Sequence, residues 1–204
     1  MSQSESLVRA LHHRTRNSFQ IISSLVSLLR RTPPAIPRTR DDLRFLEEHI
    51  NALASAHRLA DLPRDTVFAN DLIRAVVQSL RQIAGTESNL VVLSLDEAGQ
   101  RLGLDQAIGL ALYLAVALPP CLDLAVSMGV PVRIVALPEA RSLSVSVGGD
   151  WPAPMQPDGL RRRLSDAYIR RLNGVLLDDG IPGTFRIRIP VDRAETVAEP
   201  PRGL

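Results

Sequence analysis

Leu11-His-His-Arg-Thr-Arg-Asn-Ser-Phe-Gln-Ile-Ile-Ser-Ser-Leu25 is a dense polar cluster set inside an amphipathic helical pattern. Around it, Leu7, Val8, Leu11, Ile22, Leu25, Val26 and Leu29 recur at helical spacing, and Ser4 to Arg31 holds neither proline nor glycine, which predicts one long helix. At about 100° per residue, His13 lies about 160° from the centre of the apolar stripe, while His12 lies on its flank. Arg9, Asn17 and Gln20 share the open face with His13, since offsets of three, four and seven residues bring side chains together, and Arg16 sits beside them. Arginines there would stabilise charge on a phosphoryl group, and the Asn17 amide would orient a water or a phosphoryl oxygen. The cluster suits a phosphorylatable histidine. It does not suit a metal, because adjacent histidines point about 100° apart and no Cys, Asp or Glu stands three or four residues away on the same face.

Working outward, Thr32-Pro-Pro-Ala-Ile-Pro37 stops the helix, and Asp41 and Asp42 open a second one that runs to about Ala60. Leu43, Leu46, Ile50, Leu53 and His57 form its expected apolar stripe, with His49 and His57 read as structural. Two helices make a poor core, so an antiparallel hairpin is expected to pair with a second copy as a four-helix bundle, giving a homodimer. After a linker at Leu62-Pro-Arg-Asp65, helix and strand signals alternate: helix at Phe68–Ala84, strand at Asn89–Leu95, helix at Leu104–Leu118, then strands at Val130–Leu137 and Ser142–Val147. The last two make a hairpin. An arginine-rich helix at Leu160–Leu172, a short strand at Val175–Leu177 and a strictly alternating Gly183–Pro190 complete an α/β sandwich with helices on one sheet face. The fold class is therefore α+β, with a helical hairpin over 1–62, an α/β domain over 63–191 and a disordered tail over 192–204.

Composition narrows the chemistry. The 204 residues include 24 Lys+Arg, every one of them arginine, which excludes Schiff-base, P-loop and general-base lysines. A net charge of +2 gives no reason to expect nucleic acid. The single cysteine, Cys121, and the lack of an apolar core in Met1–Leu7 point to a cytoplasmic protein. Ile108 to Val126 is apolar enough to suggest a membrane, but Pro119, Pro120 and Asp123 would leave a broken, charged span there, so it is read as core.

The Leu11–Leu25 stretch resembles the phosphoacceptor helix of the HWE and related sensor histidine kinases, whose motif reads HHR(V/I)KNNLQ(V/I)ISSLL. The resemblance makes His13 the phosphoacceptor, matches Arg14 and Asn17, and departs from the family at Thr15, Arg16 and Ser18. Glu48-His-Ile-Asn-Ala-Leu-Ala-Ser-Ala-His-Arg-Leu59 is similar to the family's second bundle helix, which independently implies a dimeric bundle. The rest is similar in order and length to the ATP-binding GHKL domain, and Pro182-Gly-Thr-Phe-Arg-Ile-Arg-Ile-Pro190 resembles its closing GT-strand. The nucleotide motifs differ. Against the family's LGLILNELVTNA, Ile108-Gly-Leu-Ala-Leu-Tyr-Leu-Ala-Val-Ala-Leu-Pro119 puts Tyr113, Leu114 and Leu118 where Asn, Glu and Asn are expected around magnesium and phosphates. Against the adenine-binding DNG motif, Leu143-Ser-Val-Ser-Val-Gly-Gly149 has Val147 in place of the aspartate, with Asp150 as a register-shifted substitute. Glycine-rich lid loops are also missing.

What this implies is a histidine phosphotransferase: an intact phosphoacceptor hairpin on a degenerate GHKL-like domain, with no ATP, no cofactor of its own, and Mg²⁺ only on a partner receiver domain. His13 would exchange phosphate with receiver-domain aspartates of response regulators or of an upstream hybrid kinase. Arg9, Arg14, Arg16 and Asn17 would assist, and docking is expected around Ser18, Ile21 and Ser24. Arg161-Arg-Arg163 and Arg170-Arg171 would contact an acidic receiver or form a solvated face. The alternatives are a pseudokinase scaffold without phosphate chemistry, a divergent histidine kinase, and a receiver phosphatase using Asn17.

Overall fold

A computed structural model describes residues 19–29, 39–60, 65–96, 100–151, 159–177 and 183–191. The expected helix start at 4–18, the proline break at 32–37, the linker residues 62–64 and the tail from 192 lie outside the described residues.

Helix α1 covers Phe19–Leu29 and α2 covers Thr39–Leu59, with Asp41 and Asp42 at the positive end of α2 and His57 and Arg58 at the negative end. The face that α2 buries differs from the expected stripe. Phe45, Glu48, His49, Ala52, Leu53 and Ala56 are buried, while Leu43 is 66% and Ile50 42% exposed. The helix is turned because its alanines allow close approach to two further helices, α3 (Ala69–Ala84) and α4 (Leu104–Met128). Part of the apolar surface that seemed to require a second copy is thus covered within one chain.

Two short strands, β1 (Thr66–Phe68) and β3 (Arg101–Gly103), pair antiparallel and bury Val67 against Leu102. Three residues are too few to show an alternation, so neither was legible in the sequence. Helix α3 then buries Leu72, Ile73, Val76, Val77 and Leu80 along one face. The main sheet has the order β2-β4-β5-β7-β6, from β2 (Val91–Leu95), β4 (Val132–Glu139), β5 (Ser142–Gly148), β6 (Val175–Leu177) and β7 (Phe185–Pro190). β2 and β4 are parallel, joined through β3 and α4, and the other pairs are antiparallel, including the expected β4–β5 hairpin. Ile134, Ala136, Val145, Val147, Ile187 and Ile189 line its inner face, and α4 packs on it. Pro190 is not on an edge strand. It pairs with Ser142 at the end of β7, beyond the reach of β6, where a missing amide costs nothing.

Helix α4 runs unbroken past Pro119 and Pro120, ten residues beyond the expected end at Leu118, and among the described residues it is the one helix long and apolar enough to cross a membrane. It lies in the core instead: Leu110, Leu112, Leu114, Leu118 and Leu122 are fully buried. A proline withdraws the donor from the carbonyl four residues earlier. For Pro120 that carbonyl is Val116, and Arg161 Nη1 from α5 (Gly159–Arg171) donates to it at 3.4 Å. The neighbouring helix thus replaces one of the two bonds that the prolines withdraw.

Candidate functional site

The expected phosphoacceptor and its assistants, His13, Asn17, Arg14, Arg16 and Arg9, lie outside the described residues, as does Ser18. Ile21 and Ser24 are described. Ser24 Oγ donates to the Gln20 carbonyl at 2.7 Å, so this exposed hydroxyl is folded onto its own helix. Ile21 and Ser24, with Leu28, form one wall of a groove of about 530 Å³ whose other wall is Leu164, Tyr168 and Arg171 of α5. Arg171 also reaches Asp105 at 3.4 Å, and burial raises the Tyr168 hydroxyl above its ordinary pKa, keeping it neutral.

Apart from the residues that line this groove, α2, α4 and α5 share a charged cluster that the sequence did not reveal. Glu48 is 1% exposed and is paired with Arg44 at 3.0 Å and Arg161 at 3.6 Å. Arg44 continues to Asp123 of α4 at 2.8 Å. Burial raises the Glu48 pKa, against the opposing pull of Arg161 and Arg44. Arg161 is therefore not part of a solvated basic face: it joins α2, α4 and α5. Next to Glu48, His49 Nδ1 lies 2.8 Å from the Phe45 carbonyl, which fixes the proton on that nitrogen, and Nε2 has no hydrogen-bond partner among the described residues. Burial lowers its pKa to about 4. The available signal was Phe45, Glu48 and His49 at helical spacing, with two polar groups on the side facing an apolar helix.

The positions that the resemblance sets against nucleotide motifs are apolar and enclosed. Tyr113 is 1% exposed and Leu114, Leu118 and Val147 are fully buried. The Tyr113 hydroxyl has no hydrogen-bond partner among the described residues, and burial raises its pKa well above the ordinary value. Asp150, which the sequence offered as a register-shifted substitute for that aspartate or as a loop residue, is exposed and faces Arg133 at 3.6 Å on the surface. Across the ends of β5 and β7 lies Trp151, whose indole Nε1 donates to the Gly183 carbonyl at 3.0 Å.

Residues 10–84 match the family model HisKA_2, a histidine kinase family. Among solved structures, the Erythrobacter litoralis EL346 blue-light activated histidine kinase aligns with a TM-score of 0.64 at 18% identity over 94% of this chain. This chain spans 64% of that protein's length. The histidine kinase domain of the same protein aligns with a TM-score of 0.61 at 14% identity, covering 85% of this chain and 96% of that one. No curated protein matches significantly in sequence. The expected resemblance to histidine kinases thus holds at two levels: residues 10–84 match a histidine kinase family, and the chain as a whole shares the fold of the Erythrobacter litoralis structures, helices followed by an α/β layer.

Proposed function

We propose that the chain is a histidine phosphotransferase that relays a phosphoryl group between receiver-domain aspartates through His13 and does not bind ATP. One contrast carries this reading. The segment with the phosphoacceptor motif matches a histidine kinase family, whereas Tyr113, Leu114, Leu118 and Val147, at the positions set against nucleotide motifs, are enclosed and carry no carboxylate or carboxamide for Mg²⁺ or adenine.

In this mechanism a neutral imidazole nitrogen of His13 attacks phosphorus in line. The phosphorus–oxygen bond to the receiver aspartate breaks, the carboxylate leaves, and a phosphorus–nitrogen bond forms. A second receiver's aspartate then attacks phosphorus and releases the imidazole. Arg9, Arg14 and Arg16 stabilise charge on the transferring group and Asn17 orients it. Mg²⁺ belongs to the receiver. The receiver docks along the groove between α1 and α5, where Ile21, Ser24 and Tyr168 give a mixed surface and Arg171 adds positive charge. A second copy of the chain covers Phe19 and Val26 on α1 and Leu43 and Ile50 on α2, all exposed apolar residues spaced seven apart on their helices.

The test is transfer of radiolabelled phosphate from phosphorylated receiver domains to wild type, His12→Ala and His13→Ala, beside an ATP-only control. Label on the first two, none on His13→Ala and none from ATP is the expected result. Receiver binding without label makes the chain a scaffold. Label from ATP makes it a kinase, and loss of receiver phosphate without phosphohistidine makes it a phosphatase.

A further inference from the structure

We propose that the ends of β5 and β7 form a slot for a flat bicyclic heteroaromatic ring bearing an N–H donor, and that Trp151 is its built-in occupant. This deepens the nucleotide-free reading above, because these are the segments set against the adenine-binding stretch and the closing GT-strand.

The slot has walls of main chain. A Cβ added at Gly149 would stand 2.5 Å from Cζ2 and Cη2 and 2.9 Å from Cε2 of Trp151, over the face of its six-membered ring, and one added at Gly183 would overlap Cδ1 at the pyrrole edge. Gly183 has φ of 74°, which favours glycine in its own right. Glycine at both positions lets one backbone segment lie against the ring face and another against its pyrrole edge, an approach that a side chain at either would block. At the floor the strands close on each other: a Cβ at Gly148 would stand 2.8 Å from the Gly183 carbonyl oxygen. The slot also has a polar address, since the Gly183 carbonyl accepts the indole N–H at 3.0 Å.

The occupant comes from a turn rather than from the sheet. The Trp151 amide bonds back to the Gly149 carbonyl at 2.9 Å, which folds the side chain over the strand it has just left. The ring is only 6% exposed although it lies beyond the end of β5. A residue outside the strand ladder, inserted between two glycine segments and bonded by its ring nitrogen, sits as a ligand would.

Trp151 is the only tryptophan in the chain, so its fluorescence reports on the slot alone. We expect blue-shifted emission resistant to acrylamide in the wild type. Trp151→Gly should lose thermal stability, and free indole should restore its Tm saturably while leaving wild type and Trp151→Phe unchanged. Benzothiophene, of the same shape without the N–H, should restore less. An emission that is red-shifted and readily quenched, a Trp151→Gly Tm equal to wild type, or an indole response shared by wild type would each overturn the slot. If Trp151→Gly does not fold, wild-type quenching still decides. Nucleotide is scored separately: ATP binding by the wild type overturns the nucleotide-free reading, whereas the indole series decides the slot either way.

Discussion

His49 and Tyr113 each keep a polar atom in the core without a hydrogen-bond partner among the described residues, and each has a measurable consequence. The imidazole of His49, with a folded pKa of about 4 against an ordinary 6.5, stays neutral where the unfolded chain takes up a proton. Its contribution is therefore complete above pH 6.5, declines as pH falls, and is gone below about pH 4, a span worth roughly 3 kcal/mol. Glu48, with a raised pKa, acts in the opposite direction over the acidic range, so the informative quantity is a difference. Denaturant unfolding from pH 7 to pH 4 should show a steeper loss in wild type than in His49→Leu. Tyr113→Phe removes a hydroxyl that is desolvated without compensation, and should leave stability unchanged or raise it by about 1 kcal/mol in the same assay. The sequence identified Tyr113 as a departure from a polar motif. It read His49 as structural, but not the charged cluster beside it, because Glu48 with Arg44 four residues before it looks like a surface pair until Arg161, more than a hundred residues on, is seen against it.

At the scale of elements, the long signals were legible and the short or shared ones were not. The periodicity of α3 and the alternation in β4, β5 and β7 fixed those elements nearly to the residue, whereas β1 and β3 are too short to show any pattern. The phase of α2 was misread because Leu43 and Ile50 of the expected stripe are exposed, while small alanines share the buried face with Leu53. The carbonyl that Pro120 leaves without a donor in α4 is met by Arg161, a residue of another helix. Arg161→Ala should remove both a partner of buried Glu48 and the donor to Val116, costing about 2–3 kcal/mol since Arg44 still faces Glu48. Arg162→Ala, one residue on and exposed, should stay within about 0.5 kcal/mol. Thermal unfolding of the two variants side by side tests the assignment.

Across the whole molecule, one apolar cluster contains Leu25 of α1, Phe45 and Leu53 of α2, and the sheet residues Ile134, Val145 and Ile187. The hairpin and the α/β layer therefore share a core and should unfold in a single transition. Among the exposed large hydrophobics, Phe19 at 64%, Leu43 at 66% and Ile50 at 42% lie on the two hairpin helices. If a second copy covers them as proposed, Leu43→Gln with Ile50→Gln should shift sedimentation from dimer to monomer without lowering the secondary-structure content. A wild-type monomer would refute that part of the proposal.

The ion pair between Glu48 and Arg161 also has a meaning in the order of synthesis. Helix α2 is made long before α4 and α5, and at roughly 5–20 residues per second its inner face waits about ten seconds for them. During that wait Glu48 is expected to be solvated with only Arg44 of its own helix beside it, so that a charged group stands on a largely apolar face and should discourage association with other nascent chains. When Arg161 arrives the same carboxylate becomes an internal partner. A group whose charge must be matched in the finished core is thus expected to guard the unfinished one.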